Sequence, residues 1–122
     1  MTIRTDVDDA FRNDLHEVRA GVFSASFVFD SGLSVFAGHF PGNPLLPGIM
    51  QIEIVRRVAE AARACRFRIE AVSKAKFTGP IYPGDVISVE VAFKDSDVST
   101  SAAGALSVAG VAKASINLLL LT

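Results

Sequence analysis

Gly48-Ile49-Met50-Gln51-Ile52-Glu53-Ile54-Val55-Arg56-Arg57-Val58-Ala59-Glu60-Ala61-Ala62-Arg63-Ala64-Cys65 is the stretch that decides the fold class. At about 100° per residue, Met50, Ile54, Val58, Ala61 and Cys65 line one side of a helix, flanked by Val55, Ala62, Ile52 and Ala59. The polar stripe is narrow: Glu53, Arg56, Arg57, Glu60 and Arg63. Pro47, just ahead, suits a helix start. A helix this apolar is wrapped by its neighbours rather than laid half exposed on them.

What wraps it is read from both sides. Residues 18–30 read as a strand, with Phe23, Ala25, Phe27 and Phe29 on one face and Ser24 and Ser26 on the other. Asp6-Val7-Asp8-Asp9-Ala10-Phe11 reads as the capped start of a short helix, and Asp30-Ser31-Gly32 as a turn. Beyond Cys65 the pattern turns to strands over residues 66–77, 86–93, 98–106 and 111–121. Turn chemistry separates them: Thr78-Gly79-Pro80, Pro83-Gly84-Asp85, Asp95-Ser96-Asp97 and Val108-Ala109-Gly110. The small residues between Ser99 and Ala105 suit a strand pressed against another element. The expected architecture is α+β: one domain over residues 1–122, a curved, mostly antiparallel sheet around one long helix.

Composition narrows the function classes. Hydrophobic residues are 50% and charged residues 20% of the chain, which excludes disorder. The net charge is −1, which argues against a dedicated nucleic-acid binder. One cysteine, Cys65, and two histidines make an intrachain disulfide impossible and a His/Cys metal cage unsupported, so no metal is expected. The polar, acidic first nine residues do not read as a leader, and the apolar run 118–121 is far shorter than the ~20 residues that span a bilayer. The expectation is a cytoplasmic protein with no membrane span.

Charge is unevenly placed. Up to Glu17 there are two basic residues and five acidic ones. From residue 56 to 76 the bias reverses: Arg56, Arg57, Arg63, Arg66, Arg68, Lys74 and Lys76 face only Glu60 and Glu70. That segment is either a solvated, charge-protected face or a docking surface for an acidic partner.

The segment Phe36-Ala37-Gly38-His39-Phe40-Pro41-Gly42-Asn43-Pro44-Leu45-Leu46-Pro47-Gly48 cannot be regular structure, with three prolines and three glycines. Phe36, Phe40, Leu45 and Leu46 nevertheless call for burial, so it reads as an ordered loop packed on the domain. His39 inside it is a candidate acid or base, or a structural histidine bonding loop carbonyls. His16, in a polar stretch, reads as a surface histidine. Glu53 lies in the second turn of the helix, about 7.5 Å along the axis from Gly48. It is either a catalytic carboxylate or one arm of ion pairs with Arg56 and Arg57 at i+3 and i+4. The Gly48 N–H, at a helix N-terminus and without a Cβ beside it, can donate to an acceptor.

The string Gly38-His39-Phe40-Pro41-Gly42-Asn43-Pro44-Leu45-Leu46-Pro47-Gly48-Ile49-Met50-Gln51-Ile52-Glu53 resembles the signature of the 3-hydroxyacyl-acyl carrier protein dehydratases of the hotdog superfamily. Each fixed position of G-H-F-P-x-x-P-x-x-P-G-[VI]-x-x-x-E is met. Phe77-Thr78-Gly79-Pro80-Ile81-Tyr82-Pro83-Gly84-Asp85 is similar to the family's F-x-x-P-x-x-P-G-D turn. The resemblance covers roughly residues 22–121.

It implies a hotdog fold of about five to six strands, paired into a homodimer or a higher oligomer with active sites at the interface. It implies reversible loss of water from a (3R)-3-hydroxyacyl thioester of acyl carrier protein, giving the trans-2-enoyl thioester, in fatty-acid, aryl-polyene or related acyl-chain biosynthesis. His39 of one chain and Glu53 of the other would be the catalytic pair, with Gly48 bonding the thioester carbonyl. Phe36, Phe40, Ile49 and Tyr82 would line the acyl site, and no cofactor would be needed. Glu rather than Asp at the acid position marks members that mostly only dehydrate. The acidic carrier would dock on the basic segment of residues 56–76. Two departures stand out. Position 57 is Arg where the family usually has Gln, and the Leu-Pro-His-Arg-like motif that precedes the first strand of larger members is not found, so a small, dimeric member is expected. The other readings are a hotdog acyl thioesterase and a non-catalytic carrier-binding subunit.

Overall fold

The computed structural model describes residues 2–33, 36 and 44–122. Its helices are α1 (Ile3–Ala10) and α2 (Gly48–Arg63). Its strands are β1 (His16–Arg19), β2 (Val22–Phe27), β3 (Arg68–Phe77), β4 (Ile87–Asp95), β5 (Thr100–Val108) and β6 (Val111–Leu121). They form one antiparallel sheet in the order β1-β2-β4-β5-β6-β3. Helix α2 packs against β2, β3, β4, β5 and β6, so the sheet curls around it as a hotdog fold requires.

The apolar side of α2 supplies the centre of the core. Met50, Ile54, Val55, Val58 and Ala59 are fully buried. They meet alternate residues of the sheet: Ala25 and Phe27 of β2, Ile87, Val89 and Val91 of β4, Ala102 and Leu106 of β5, and Ile116, Leu118 and Leu120 of β6. Opposite Val55 of α2, β5 carries Gly104, in register with Val91 on one side and Ile116 on the other. The small-residue strand is thus where helix and sheet press together.

Several boundaries differ from the sequence reading. The expected strand over residues 18–30 is two strands, β1 and β2, folded back at Gly21, whose φ of 75° is left-handed. A lone glycine without neighbouring turn residues hid that hairpin. The short helix begins three residues before Asp6 rather than at it, because the Thr2 side chain accepts the N–H of Thr5 as its N-cap. Asp8 therefore falls in the last turn, where the helix dipole disfavours it, and its ion pair with Arg57 of α2 offsets that.

Helix α2 ends at Arg63, two residues before the expected end. Ala64 takes a left-handed conformation at φ 52°, and its N–H returns to the Glu60 carbonyl. Glu60 itself is buried and holds three pieces together. Its carboxylate accepts Arg4 of α1 through Nη1 at 2.7 Å and Nη2 at 3.2 Å, and the Phe67 N–H at 2.8 Å. Burial alone would raise its pKa. The Arg4 hydrogen bonds, the Phe67 N–H and the charges of Arg4 and Arg56 outweigh burial and hold it below the usual carboxylate value.

At one end of the sheet β1 is short and charged. At the other, β3 is ten residues long, exposed over nearly its whole length, and hydrogen-bonded to β6 alone among the described residues. No helix among the described residues is long and apolar enough to cross a membrane.

Candidate active site at the start of the long helix

The two sequence motifs meet at the N-terminus of α2. Leu46, buried just before the helix, donates its N–H to the Ile81 carbonyl of the second motif at 2.8 Å. Its own carbonyl accepts the side-chain Nε2 of Gln51 at 3.1 Å. Both backbone polar groups of Leu46 are therefore pinned, one by the 78–85 loop and one by α2. That loop is fixed in turn by Gly84 N–H to Phe29 O at 2.9 Å and by the Asp85 carboxylate accepting the Tyr82 N–H at 2.8 Å.

Pro47 caps α2 without a side-chain hydrogen bond. The N–H groups of Gly48 and Ile49, at the first two positions, have no intrahelical acceptor. Phe77, from the first position of the second motif, lays its ring over Gly48. A Cβ built on Gly48 would stand 2.8 Å from its Cζ. Only glycine lets the ring lie that close to the helix start. Phe77, Ile49 and Tyr82 are all about half exposed, at 47%, 54% and 44%. Exposed aromatic and aliphatic side chains beside an uncapped helix start offer an apolar body and a hydrogen-bond donor together.

Of the residues singled out from the sequence, His39 and Phe40 lie outside the described residues. Phe36 is buried in the hydrophobic core. Glu53 is mostly buried at 16% exposure and forms an ion pair with Arg56, Nη2 to Oε2 2.5 Å. It lines a seam with Arg4, Val7, Arg56, Arg57 and Glu60 that is too tight to hold water. His16 is exposed, with Nδ1 3.0 Å from the Asp14 carbonyl.

Arg57 does not face Glu53. It reaches α1, with Nε 2.6 Å from Asp8 Oδ1 and its guanidinium over the Phe11 ring at 4.8 Å. Arg63 is likewise engaged, by both oxygens of Asp95 at 3.0 and 3.2 Å and by the Phe93 ring at 4.6 Å. The seven basic residues are thus not one open patch. Arg56, Arg57 and Arg63 have acceptors within the chain, whereas Arg66, Arg68, Lys74 and Lys76 are exposed without an ion pair among the described residues. Sequence reasoning missed Phe77 and Gln51 as residues that shape the helix start. Both stand inside quoted motifs, at the first position of one and three after the glycine of the other.

The family model of the ApeI-like proteins, described as ApeI dehydratase, matches residues 16–110, which include both motifs. Among curated relatives, the 3-hydroxyacyl-acyl-carrier-protein dehydratase FabZ of Caulobacter sp. (strain K31) is 33% identical over 87 residues, 64% of this chain and 50% of the relative. The FabZ of Geotalea uraniireducens (strain Rf4) is 35% identical over 86 residues, 63% of this chain and 56% of the relative. The chain thus spans about half the length of the curated relatives it matches. Among solved structures, the dehydratase heterocomplex ApeI:P from Xenorhabdus doucetiae superimposes with a TM-score of 0.75 over 90% of this chain and 96% of that one, at 21% identity. A hypothetical thioesterase with coenzyme A from Streptococcus pneumoniae TIGR4 gives 0.72 over 98% and 92%, at 10% identity. At those identities the superpositions establish the hotdog fold.

Proposed function

The chain belongs to the ApeI-like dehydratase family, and on that footing we propose that it is a cytoplasmic hydro-lyase acting on acyl-carrier thioesters. The reaction is reversible loss of water from a (3R)-3-hydroxyacyl chain to give the trans-2-enoyl thioester, within fatty-acid, aryl-polyene or related acyl-chain biosynthesis. The observation that carries the reading is the junction at the start of α2, where Leu46 joins the two motifs and the Gly48 N–H, beside the Phe77 ring, has no acceptor among the described residues.

In this mechanism the Gly48 N–H bonds the thioester oxygen and stabilises the enolate-like charge that develops there. His39 takes the C2 proton as general base. The C2–H electrons form the C2=C3 bond as the C3–O bond breaks, and Glu53, directly or through a water, delivers the proton that lets the hydroxyl leave as water. The thioester already acidifies C2, so the reading requires no cofactor. Ile49, Tyr82 and Phe40 are the acyl-facing residues of the proposal, with Phe77 added, and Phe36 is left out because it is buried in the core.

The seam around Glu53 within one chain has no room for substrate, so this reading requires a second chain to complete the site. The occupant we propose for the free β3 edge is another copy of this chain, whose β3 would pair with it to continue the sheet and bring His39 of one protomer to Glu53 of its partner. The solved ApeI:P dehydratase is a heterocomplex, so a different hotdog chain on the same edge is the competing arrangement. Light scattering of the purified protein separates them, since a stable monomer would point to the second.

The test of the activity is incubation with a 3-hydroxyacyl pantetheine thioester. A conjugated enoyl chromophore supports dehydration. Free thiol would instead assign a thioesterase, and no reaction a carrier-binding subunit. His39→Ala and Glu53→Gln should each lower dehydration by about 10²–10⁴-fold, the usual contribution of a positioned acid or base, with the fold intact.

A further inference from the structure

Strand β6 is one residue out of step with β5. Leu106 faces Ala114 and Ser107 faces Ala112, which leaves Lys113 as the extra residue of a bulge. The bulge is held from the β3 side. The Lys113 carbonyl accepts the N–H of Thr78 at 2.8 Å and of Gly79 at 3.3 Å, and the Thr78 hydroxyl donates to the Ala112 carbonyl at 3.4 Å. The lysine side chain runs across Gly79: a Cβ built there would stand 3.0 Å from Lys113 Cδ and 3.4 Å from Nζ. Lys113 is half-buried, and its amine forms no ion pair among the described residues. Gly79 lies between the two contacts that build the start of α2. Two residues before it, Phe77 covers Gly48, and two residues after it, Ile81 accepts the Leu46 N–H. Two residues of chain span at most about 7 Å. The fold thus braces an unpaired amine against the loop that shapes the proposed thioester site.

We propose that Lys113 binds the phosphate of the pantetheine arm that carries the acyl thioester. The proposal rests on the dehydratase reading given above and adds a residue to its substrate site. With the thioester oxygen at the Gly48 N–H, the arm runs out past Phe77 and brings its phosphate to the Lys113 amine. A lysine amine is a compact point charge with three donors, suited to one phosphate group. Arg66, Arg68, Lys74 and Lys76 are exposed, which fits a broad acidic protein surface. Lys113 differs from them: its backbone is clamped by Thr78 and Gly79 and its stem rests on Gly79, which fits a single small anion. The same phosphate ester occurs in the arm of an acyl carrier and in coenzyme A, so the substrates of the experiment separate the two sources.

The experiment gives one (3R)-3-hydroxyacyl chain, as its thioester with pantetheine, phosphopantetheine, coenzyme A or acyl carrier protein, to full-length wild type, Lys113→Gln, Lys113→Arg and Lys94→Gln. Wild type should show a kcat/KM roughly three- to tenfold higher on phosphopantetheine than on pantetheine, expressed in KM. Lys113→Gln should erase that ratio, and Lys113→Arg should keep most of it, because the charge remains. Lys94, exposed on β4, is the control for loss of a positive charge, and Lys94→Gln should keep the wild-type ratio. Calorimetry of phosphopantetheine against pantetheine, on wild type and Lys113→Gln, reads binding without turnover. No preference for phosphopantetheine in wild type, or a preference that survives Lys113→Gln, would overturn the proposal. An equal loss on every substrate with a lowered thermal midpoint would overturn it too, leaving Lys113 as a clamp on the 78–85 loop. A loss confined to the carrier protein, absent with phosphopantetheine and coenzyme A, would assign Lys113 to the carrier's acidic surface instead. Absence of enoyl product from wild type would remove the dehydratase reading, and the calorimetry would then decide the role of Lys113 by itself.

Discussion

Gly104 of β5 faces Val55 of α2 at a separation that leaves no room for a side chain: a Cβ on Gly104 would stand 2.6 Å from Val55 Cγ2 and 3.0 Å from Cγ1. Val55 is fully buried and cannot turn aside into solvent. Gly104→Ala should therefore destabilise the protein by about 1–3 kcal/mol, the usual cost of overpacking a tight core. Val55→Ala added to it should restore part of the loss, because the clashing methyls are removed. Urea denaturation of the two single variants and the double checks this. A Gly104→Ala protein as stable as wild type would mean that α2 can lift off the sheet at little cost.

That contact shows how far the sequence could be read. The run of small residues before Ala105 announced a strand under pressure, and the apolar circumference of the 48–65 helix announced that it would be wrapped. Which small residue met which helix residue was not legible, since it depends on the register Val91–Gly104–Ile116 across three strands. The helix stop at Ala64 was hidden for a similar reason: alanine rarely takes a left-handed conformation, and here the N–H groups of Ala64 and Cys65 both return to the Glu60 carbonyl. At the candidate site, the spacing placed Glu53 on the polar stripe and left open whether Arg56 or Arg57 would meet it. The choice was made by Asp8 of α1, which draws Arg57 away. No pattern within α2 contains that information.

Glu60 makes the fold sensitive to acid. Its carboxyl titrates below the ordinary value of 4.5 in the folded chain, because the Arg4 and Phe67 hydrogen bonds overcome its burial. Between the folded and unfolded values the unfolded chain binds more protons, so stability falls as the pH is lowered through that window and is fully present above it. Glu60→Gln should cost about 1–3 kcal/mol at neutral pH, for a weakened charge-assisted bond and a partly orphaned Arg4. Its stability should then vary less than wild type as the pH falls from about 5 towards 3. Denaturant midpoints measured at a series of pH values decide it. Parallel curves for the two proteins would place the acid sensitivity elsewhere.

The docking proposal now rests on four residues rather than seven. Arg66, Arg68, Lys74 and Lys76 are exposed and unpaired among the described residues, whereas Arg63 is clamped by Asp95. Association steered by such charges weakens as salt screens them, with a Debye length of about 10 Å at 0.1 M. On carrier-bound substrate, kcat/KM should fall with added salt more steeply than on a pantetheine thioester. Lys74→Glu/Lys76→Glu should remove most of that difference, and Arg63→Gln little of it. Equal salt dependence for the two substrates in wild type would leave these four residues as a solvated face.

The last prediction concerns where each site is built. If His39 and Glu53 meet across a two-fold axis along paired β3 edges, every dimer holds two composite sites. His39→Ala and Glu53→Gln proteins, each inactive alone, are co-expressed and purified together. A mixed dimer then has one site carrying both lesions and one carrying neither. Random pairing makes about half of the dimers mixed, and half of the sites in those are intact, so activity should return to roughly a quarter of wild type. Had both residues served one site within a chain, every protomer would still carry a lesion and nothing would return. A control with Lys74→Glu/Lys76→Glu alone tests whether charge reversal on β3 disturbs assembly, which would confound the docking result. Recovery near a quarter, with dimers at the concentrations assayed, places the two halves of the site on opposite sides of the β3 edge. No recovery from a mixture shown to contain mixed dimers would put His39 and Glu53 in the same chain's site and end the composite arrangement.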